Sequence, residues 1–502
     1  MTKRTPTTPF AAIDLNPGLA TPLYRQLYDK LRAAILTRQL MGGTRLPSTR
    51  VLAIELNISR NTVMTAFEQL LAEGYLNGKV GAGTYVARVL PEDLHYANGY
   101  AGHVVTNHPS AKGRQLSQRS TAFLKARLTT ATSLETPVPF RPGTPAFAEF
   151  PFEIWARLTQ QHLQNPGSNL LGYAEPAGYQ PLREAIAGYL WAMRGVRCEA
   201  GQVIIVAGSQ QALDLAARVL LDPGDTACIE DPGYLGARNA LQSAGAHLWP
   251  VSVDNDGLEV ACLSDAPPDS RLVYVSPSHQ YPLGVTMSLA RRLALLEWAN
   301  QQGAWILEDD YDSEYRYSSR PLAALQGLDS EGRVIYIGTF SKVLFPALRL
   351  GYMVVPTDLV PIFVAARAVT DRHSPTLEQA VVSDFIAEGH FARHIRKMRM
   401  LYAERQALLV GAAQSELAGL LEVPPAQAGM HLVGWLPPHI SDMAASQRAA
   451  ALGVEVPALS AYTLKPYPRG GLLLGYAGYN QSQITTGISQ LKAALQTFKA
   501  GP

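Results

Sequence analysis

Cysteine is nearly absent from the 502 residues. Cys198, Cys228 and Cys262 are too few and too scattered for a disulfide framework or a zinc cluster, and they suit a reducing compartment. Long apolar runs are missing too. No stretch of 18 apolar residues occurs, and the opening MTKRTPTTPF lacks the apolar segment of a secretory signal, so a cytoplasmic chain with no membrane partner is expected. Charge of one sign is scarce overall, at a net +2. The chain is nevertheless too long for one hydrophobic core, and at 47% hydrophobic and 17% charged residues it can fill more than one.

The small net charge conceals an asymmetry. Residues 1–88 hold 11 Lys and Arg against 5 Asp and Glu, a balance of +6, while the remainder sums to −4. A basic N-terminal module on an acidic body points to nucleic acid, although a solvated basic face gives the same count. Within it Leu23, Leu27, Leu31 and Ile35 recur every four residues and predict a helix. Ser48 in LPSTRVLAIELN and Ser59 in ISRNTVMTAFEQLLAEGYL are N-cap residues for two more. The third helix buries Val63, Phe67, Leu70 and Leu71 and gathers Arg60, Asn61, Thr62 and Thr65 at its start, the form in which a recognition helix meets base edges. YLNGKVGAGTYVA then predicts two short strands around a glycine-rich turn.

Residues 20–87 resemble the winged helix-turn-helix of GntR-type transcription regulators. The resemblance implies that Arg45, Ser48, Arg50, Ser59, Arg60, Asn61, Thr62 and the wing tip Gly81 lie near promoter double-stranded DNA. A three-helix packing module with merely solvated arginines is the competing reading. Residues 88–135, rich in Ser, Thr, Gly, Gln and Asn, are expected to be a linker, which makes residues 1–87 one domain and 136–502 another.

From 136 onward apolar strands alternate with amphipathic helices, predicting an α/β domain with a mostly parallel sheet. The candidate strands are QVIIVAG, TACIE, RLVYVS, AWILED, RVIYIG and LGYMVV. Polar residues follow their C-terminal ends, where an open α/β sheet places ligands. Ser209 and Gln210 open a helix that can cup an anion, Tyr234 sits in DPGY, Asp309 and Tyr311 lie in EDDYDSE, and Thr339 and Lys342 lie in TFSK before Arg349. Each part has an ordinary explanation: a surface lysine, a packed tyrosine, a solvated acidic turn or an oxygen-ligand metal site. Together and in this order they match pyridoxal 5'-phosphate (PLP), which needs a lysine Schiff base, a carboxylate at its pyridine nitrogen, a phenol at its ring hydroxyl, an aromatic face and a phosphate cup.

Residues 140–495 resemble fold-type I aminotransferases through YAEPAGYQPLREAIAGYL, SQQALDL, DPGY, SPSHQYPLG, EDDYDSEYRY and GTFSKVLFPALRLGY. The resemblance implies that Lys342 is the Schiff-base lysine, Asp309 pairs with the pyridine nitrogen and Tyr311 meets the ring hydroxyl. It assigns Ser209, Gln210, Thr339 and Arg349 to the phosphate and Tyr234 to the ring face. It also takes Tyr173 to the phosphate of a partner subunit, hence a homodimer. Tyr281 stands before Pro282 where the family usually has asparagine, so a direct bond from that position to the ring hydroxyl is not expected. In RGGLLLGYAGYN the position of the usual carboxylate-gripping arginine is Leu473, with Arg469 the nearest arginine.

A GntR-type module, a linker and an aminotransferase-like body are the arrangement of the MocR regulators. That resemblance implies a head-to-tail homodimer whose large domain senses a small-molecule effector, PLP or an amino compound, rather than catalysing. A functional PLP-dependent aminotransferase is the alternative, and a DNA-binding protein with an inert scaffold domain a third.

Overall fold

The computed structural model describes residues 13–79, 83–91, 120, 138–164, 166–317 and 323–498. The chain packs as two compact units, residues 1–115 and 116–502.

In the first unit α1 (Leu23–Leu36), α2 (Thr49–Glu55) and α3 (Arg60–Ala72) precede a hairpin of β1 (Leu76–Lys79) and β2 (Gly83–Val86). Both predicted caps form: Ser48 Oγ accepts from the Val51 N–H (3.3 Å) and Ser59 Oγ from the Thr62 N–H (3.1 Å). Each satisfies one of the donors that a helix start leaves open. Leu27, Leu31, Ile35, Leu52, Val63, Phe67 and Leu70 share one core. Leu71 departs from expectation: it is 37% exposed, and Ala66 takes its place in the stripe. At 100° per residue, a position directly after Leu70 turns off a face already occupied at 63, 66, 67 and 70. The hairpin is antiparallel, Leu76 opposite Val86. Gly81, and all of residues 88–135 apart from 88–91 and Ser120, lie outside the described residues.

The second unit is built on an eight-stranded sheet in the order β3-β10-β9-β8-β7-β4-β5-β6. The strands are β3 (Val203–Val206), β4 (Thr226–Asp231), β5 (His247–Asp254), β6 (Gly257–Leu258), β7 (Leu272–Val275), β8 (Trp305–Asp310), β9 (Val334–Thr339) and β10 (Gly351–Val354). The contacts β9-β8-β7-β4-β5 are parallel, and β10 is antiparallel to both its neighbours. All six strands expected from sequence are present. Burial on both faces explains their near-continuous apolar runs. Alternation sends Ile204 and Val206 to one core and Val203 and Ile205 to the other. A smaller lobe pairs β11 (His431–Trp435) with β12 (Gly471–Gly475) and packs them against the long helix His390–Glu416 and the helix Gln481–Gln496.

Candidate functional site

The acidic run at the end of β8 shows how the sheet builds the site. Side chains alternate between faces, so Glu308 and Asp310 leave by one face and Asp309 by the other. Glu308 accepts from the Leu325 and Gln326 N–H groups (2.8 and 2.9 Å). Asp310 is ion-paired with Arg194 (2.7 Å) and accepts from the Tyr336 hydroxyl (2.6 Å). Asp309 lines a cavity of about 330 Å³ at the strand ends. The run is therefore neither a solvated turn nor a cluster converging on one ion.

Ser209, Gln210, Tyr234, Tyr311, Thr339, Lys342 and Arg349 line the same cavity, so eight of the nine residues expected at a cofactor are brought together. Tyr173 is not among them. It is 82% exposed and stacks under the Arg372 guanidinium, 4.2 Å from its ring centre.

Asp309 Oδ2 accepts from the Tyr274 hydroxyl (2.8 Å), while its buried Oδ1 has no partner among the described residues. Burial pushes the carboxyl up to about 7, against the Tyr274 bond and aided by the nearby Asp310 and Asp312 charges. Burial also pushes Lys342 below its ordinary value. A buried carboxylate oxygen without a donor and a lysine whose burial favours its neutral form suit PLP: its pyridinium N–H would satisfy the first, and the second would hold its aldehyde carbon. The residues fit the cofactor.

Local backbone shapes both ends of the cavity. Gly208, at φ +114°, precedes the helix Ser209–Leu220, and a Cβ there would stand 3.4 Å from the Arg349 guanidinium. The φ of +114° is what calls for glycine at 208, and Arg349, itself at φ +52°, lies beside the N–H groups of the helix start. At the other end Lys342 Nζ donates to the Gly143 carbonyl (3.0 Å). Gly143 has φ +72°, and an added Cβ would lie 2.5 Å from Nζ.

Several functional positions carry no signal that sequence reasoning uses. His279 Nδ1 lies 3.0 and 3.1 Å from the two Asp312 oxygens and 2.9 Å from the Tyr311 hydroxyl. A carboxylate only accepts, so Nδ1 carries the proton; the Tyr311 oxygen then accepts from the same N–H and keeps its own hydrogen for the cavity. Glu230, pushed up to about 7 by burial, accepts from the Ser276 N–H and hydroxyl and from Gln280 Nε2, which pins the SPSHQYPLG loop. The Tyr281 hydroxyl of that loop donates to the Tyr462 hydroxyl (3.2 Å). Only the HQYP departure hints at these.

Leu473 is fully buried in a cluster with Leu459 and Tyr462, against which Tyr281 packs. Arg469 does not replace the missing arginine: it donates to the Leu436 carbonyl (3.2 Å) and Glu422 (2.8 Å), away from this cavity.

In the first unit Arg45, Ser48, Arg50, Ser59, Arg60 and Asn61 are exposed and Thr62 half-buried. Among the described residues none of the three arginines forms an ion pair. Arg45 lies against β2, where it bridges to Tyr85. No helix among the described residues is long and apolar enough to cross a membrane.

Comparison with known proteins agrees with this geometry. Residues 23–86 match the family of bacterial regulatory proteins, gntR family, and residues 140–491 match aminotransferase class I and II. A probable rhizopine catabolism regulatory protein MocR of Rhizobium meliloti is 43% identical over 95% of both chains. The pyridoxine biosynthesis regulator PdxR of Corynebacterium glutamicum is 29% identical over 96% of this chain and 98% of its own. The α-aminoadipate aminotransferase LysN of Thermus thermophilus, solved with N-(5'-phosphopyridoxyl)-L-leucine, is 28% identical with a TM-score of 0.69, over 77% of this chain and 98% of that one. A GntR-type winged helix-turn-helix, a class I and II aminotransferase domain with PLP as its cofactor, and full-length similarity to helix-turn-helix regulators place the chain in the MocR family of transcription regulators.

Proposed function

We propose that this chain is a PLP-dependent transcription regulator that acts as a head-to-tail homodimer on promoter DNA in the cytoplasm, its large domain sensing PLP or an amino compound. The observation that carries the reading is one cavity lined by Lys342, Asp309, Tyr311, Tyr234, Ser209, Gln210, Thr339 and Arg349, on one chain with a basic DNA-binding module. Lys342 holds the cofactor covalently, Asp309 pairs with its pyridine nitrogen, and Tyr311 donates to its ring oxygen with His279 and Asp312 behind it. Ser209, Gln210, Thr339 and Arg349 hold the phosphate, and Tyr234 covers the ring face. Tyr173, being exposed, reaches the phosphate in a partner subunit. Bound there, PLP supplies an aldehyde for amines and an electron-withdrawing ring.

Leu473 argues against efficient transamination. An arginine at that position would grip the α-carboxylate of an amino acid in two bonds. Leucine removes a charge-assisted interaction worth roughly 1.5–3 kcal/mol. A working aminotransferase remains the second reading because the cofactor contacts are intact. On the DNA side, Arg45, Ser48, Arg50, Ser59, Arg60, Asn61 and Thr62 form the contact surface, with the Gly81 turn as the wing, and residues 88–135 tether the domains 1–87 and 136–502.

The test is spectroscopic. The holo-protein is expected to show a visible cofactor band that Lys342→Ala removes, and common α-amino acids are expected to leave that band unchanged over hours. Rapid bleaching by amino acids with recovery on adding a keto acid supports the enzyme. A band retained in Lys342→Ala refutes the lysine assignment.

A further inference from the structure

His279 does not line the Lys342 cavity; it stands behind Tyr311, which does. Its Nδ1–H is shared between the Tyr311 oxygen and the Asp312 carboxylate, and among the described residues no other donor reaches that carboxylate. The His279 and Asp312 side chains are both 1% exposed. A buried acceptor and a phenol thus depend on one N–H. The ring has no room to turn away. Gly429 packs on it so closely that an added Cβ would stand 1.9 Å from Cε1, and the Gly429 carbonyl is itself held by the Tyr317 and Tyr476 hydroxyls (2.5 and 2.7 Å). His279 Nε2 is buried and meets no partner among the described residues, so the ring acts through Nδ1. An unpartnered ring nitrogen beside a buried carboxylate destabilises the fold, and an apolar side chain would fill the same space without that cost.

Burial pushes the surrounding Tyr311, Tyr315, Tyr317 and Tyr476 upward, so these stay neutral near pH 7. It pushes His431, whose ring centre lies 5.3 Å from that of His279, down to about 3, so this ring is neutral too. Asp309 and Lys342 are charges that Asp312 acts on. We propose that His279 is a positioning residue for the cofactor: with Asp312 it turns the Tyr311 hydrogen into the cavity and thereby sets the pH at which the bound chromophore releases its proton. This rests on the reading that Tyr311 donates to the ring oxygen. A donor there favours negative charge on that oxygen, which moves the release to lower pH. Without the imidazole, the Asp312 carboxylate loses its donor and competes for the Tyr311 hydrogen.

The experiment is a pH titration of the visible cofactor band, without added amines, in the PLP-loaded wild type, Tyr311→Phe, His279→Leu, His279→Asn and a variant carrying both Tyr311→Phe and His279→Leu. Tyr311→Phe and His279→Leu are each expected to raise the midpoint by about one pH unit, the size of one weakened hydrogen bond. The double variant is expected to match Tyr311→Phe, because His279 acts through the phenol. His279→Asn, which keeps an N–H close to the place of Nδ1, is expected to return most of the way to the wild-type midpoint. If His279→Leu does not fold, His279→Gln, whose amide falls closer to the place of Nε2, takes its part with the same expected shift. An unmoved midpoint in His279→Leu while Tyr311→Phe moves it, shifts that add in the double variant, or an equal shift in His279→Asn overturns the positioning role and leaves the cofactor reading standing. A midpoint unmoved in Tyr311→Phe overturns the Tyr311 contact on which the role rests.

Discussion

Replacing Asp309 by asparagine is expected to stabilise the apo-protein and to do so increasingly as pH rises. Burial first, then the Asp310 and Asp312 charges, lift the carboxyl from 3.8 to about 7, with the Tyr274 bond and Lys342 opposing. Well below pH 3.8 the group is neutral in both folded and unfolded chains, and the substitution is nearly silent. Between about 4 and 7 the unfolded chain ionises while the folded one keeps its proton, so folded-state stability falls as pH rises. Above about 7 the loss is complete. At about 1.36 kcal/mol per pH unit it amounts to roughly 1.6 kcal/mol at pH 5 and about 4 kcal/mol at pH 8. Asparagine keeps an oxygen for the Tyr274 hydroxyl and removes the charge. All six tryptophans lie beyond residue 150, so tryptophan fluorescence during urea unfolding reads the large unit alone. The gain in Asp309→Asn is expected to grow by roughly 2–3 kcal/mol between pH 5 and 8, and PLP is expected to stabilise the mutant less than the wild type at pH 8. A pH-independent effect, or destabilisation at pH 8, refutes the argument that this carboxylate waits unpaired for a cation.

Gly143→Ala puts a methyl carbon 2.5 Å from Lys342 Nζ at φ +72°, a backbone cost of about 1–2 kcal/mol before the clash, so PLP titration should show at least about tenfold weaker binding. Alanine at both Arg50 and Arg60 is expected to weaken promoter binding by about 1–3 kcal/mol for each of the two that reads a base, while the visible cofactor band stays unchanged. Unaltered DNA affinity in the double mutant removes those residues from the interface.

What the sequence makes legible here is whatever leaves a local signature. Caps at Ser48 and Ser59, apolar strands ending in polar turns, and the separate motifs that carry Ser209, Tyr234, Asp309, and Lys342 with Arg349 each lie within a short window, and the fold brings the last five to one cavity. β5 leaves no such signature because Pro250 interrupts its pattern; as neighbour of the two-residue β6 it tolerates a missing donor. His279, Asp312 and Glu230 stay silent because their partners lie 32 to 50 residues away, with no spacing rule joining them. Gly143 and Lys342 are 199 residues apart. Leu473 is located by its place in a motif, but only packing shows that it is buried in a cluster with Leu459 and Tyr462. The division of the EDD run between two faces follows from strand alternation once the strand's end is known, and the sequence does not mark that end.

Cofactor held at Lys342 is expected to change how the protein engages DNA. The most direct measurement is a mobility-shift titration on the DNA upstream of its own gene, with apo-protein, holo-protein and Lys342→Ala given PLP. Apo and holo wild type are expected to differ in affinity or in the retarded species, and Lys342→Ala to behave as apo whether or not PLP is present. Identical titrations for all three proteins would contradict it.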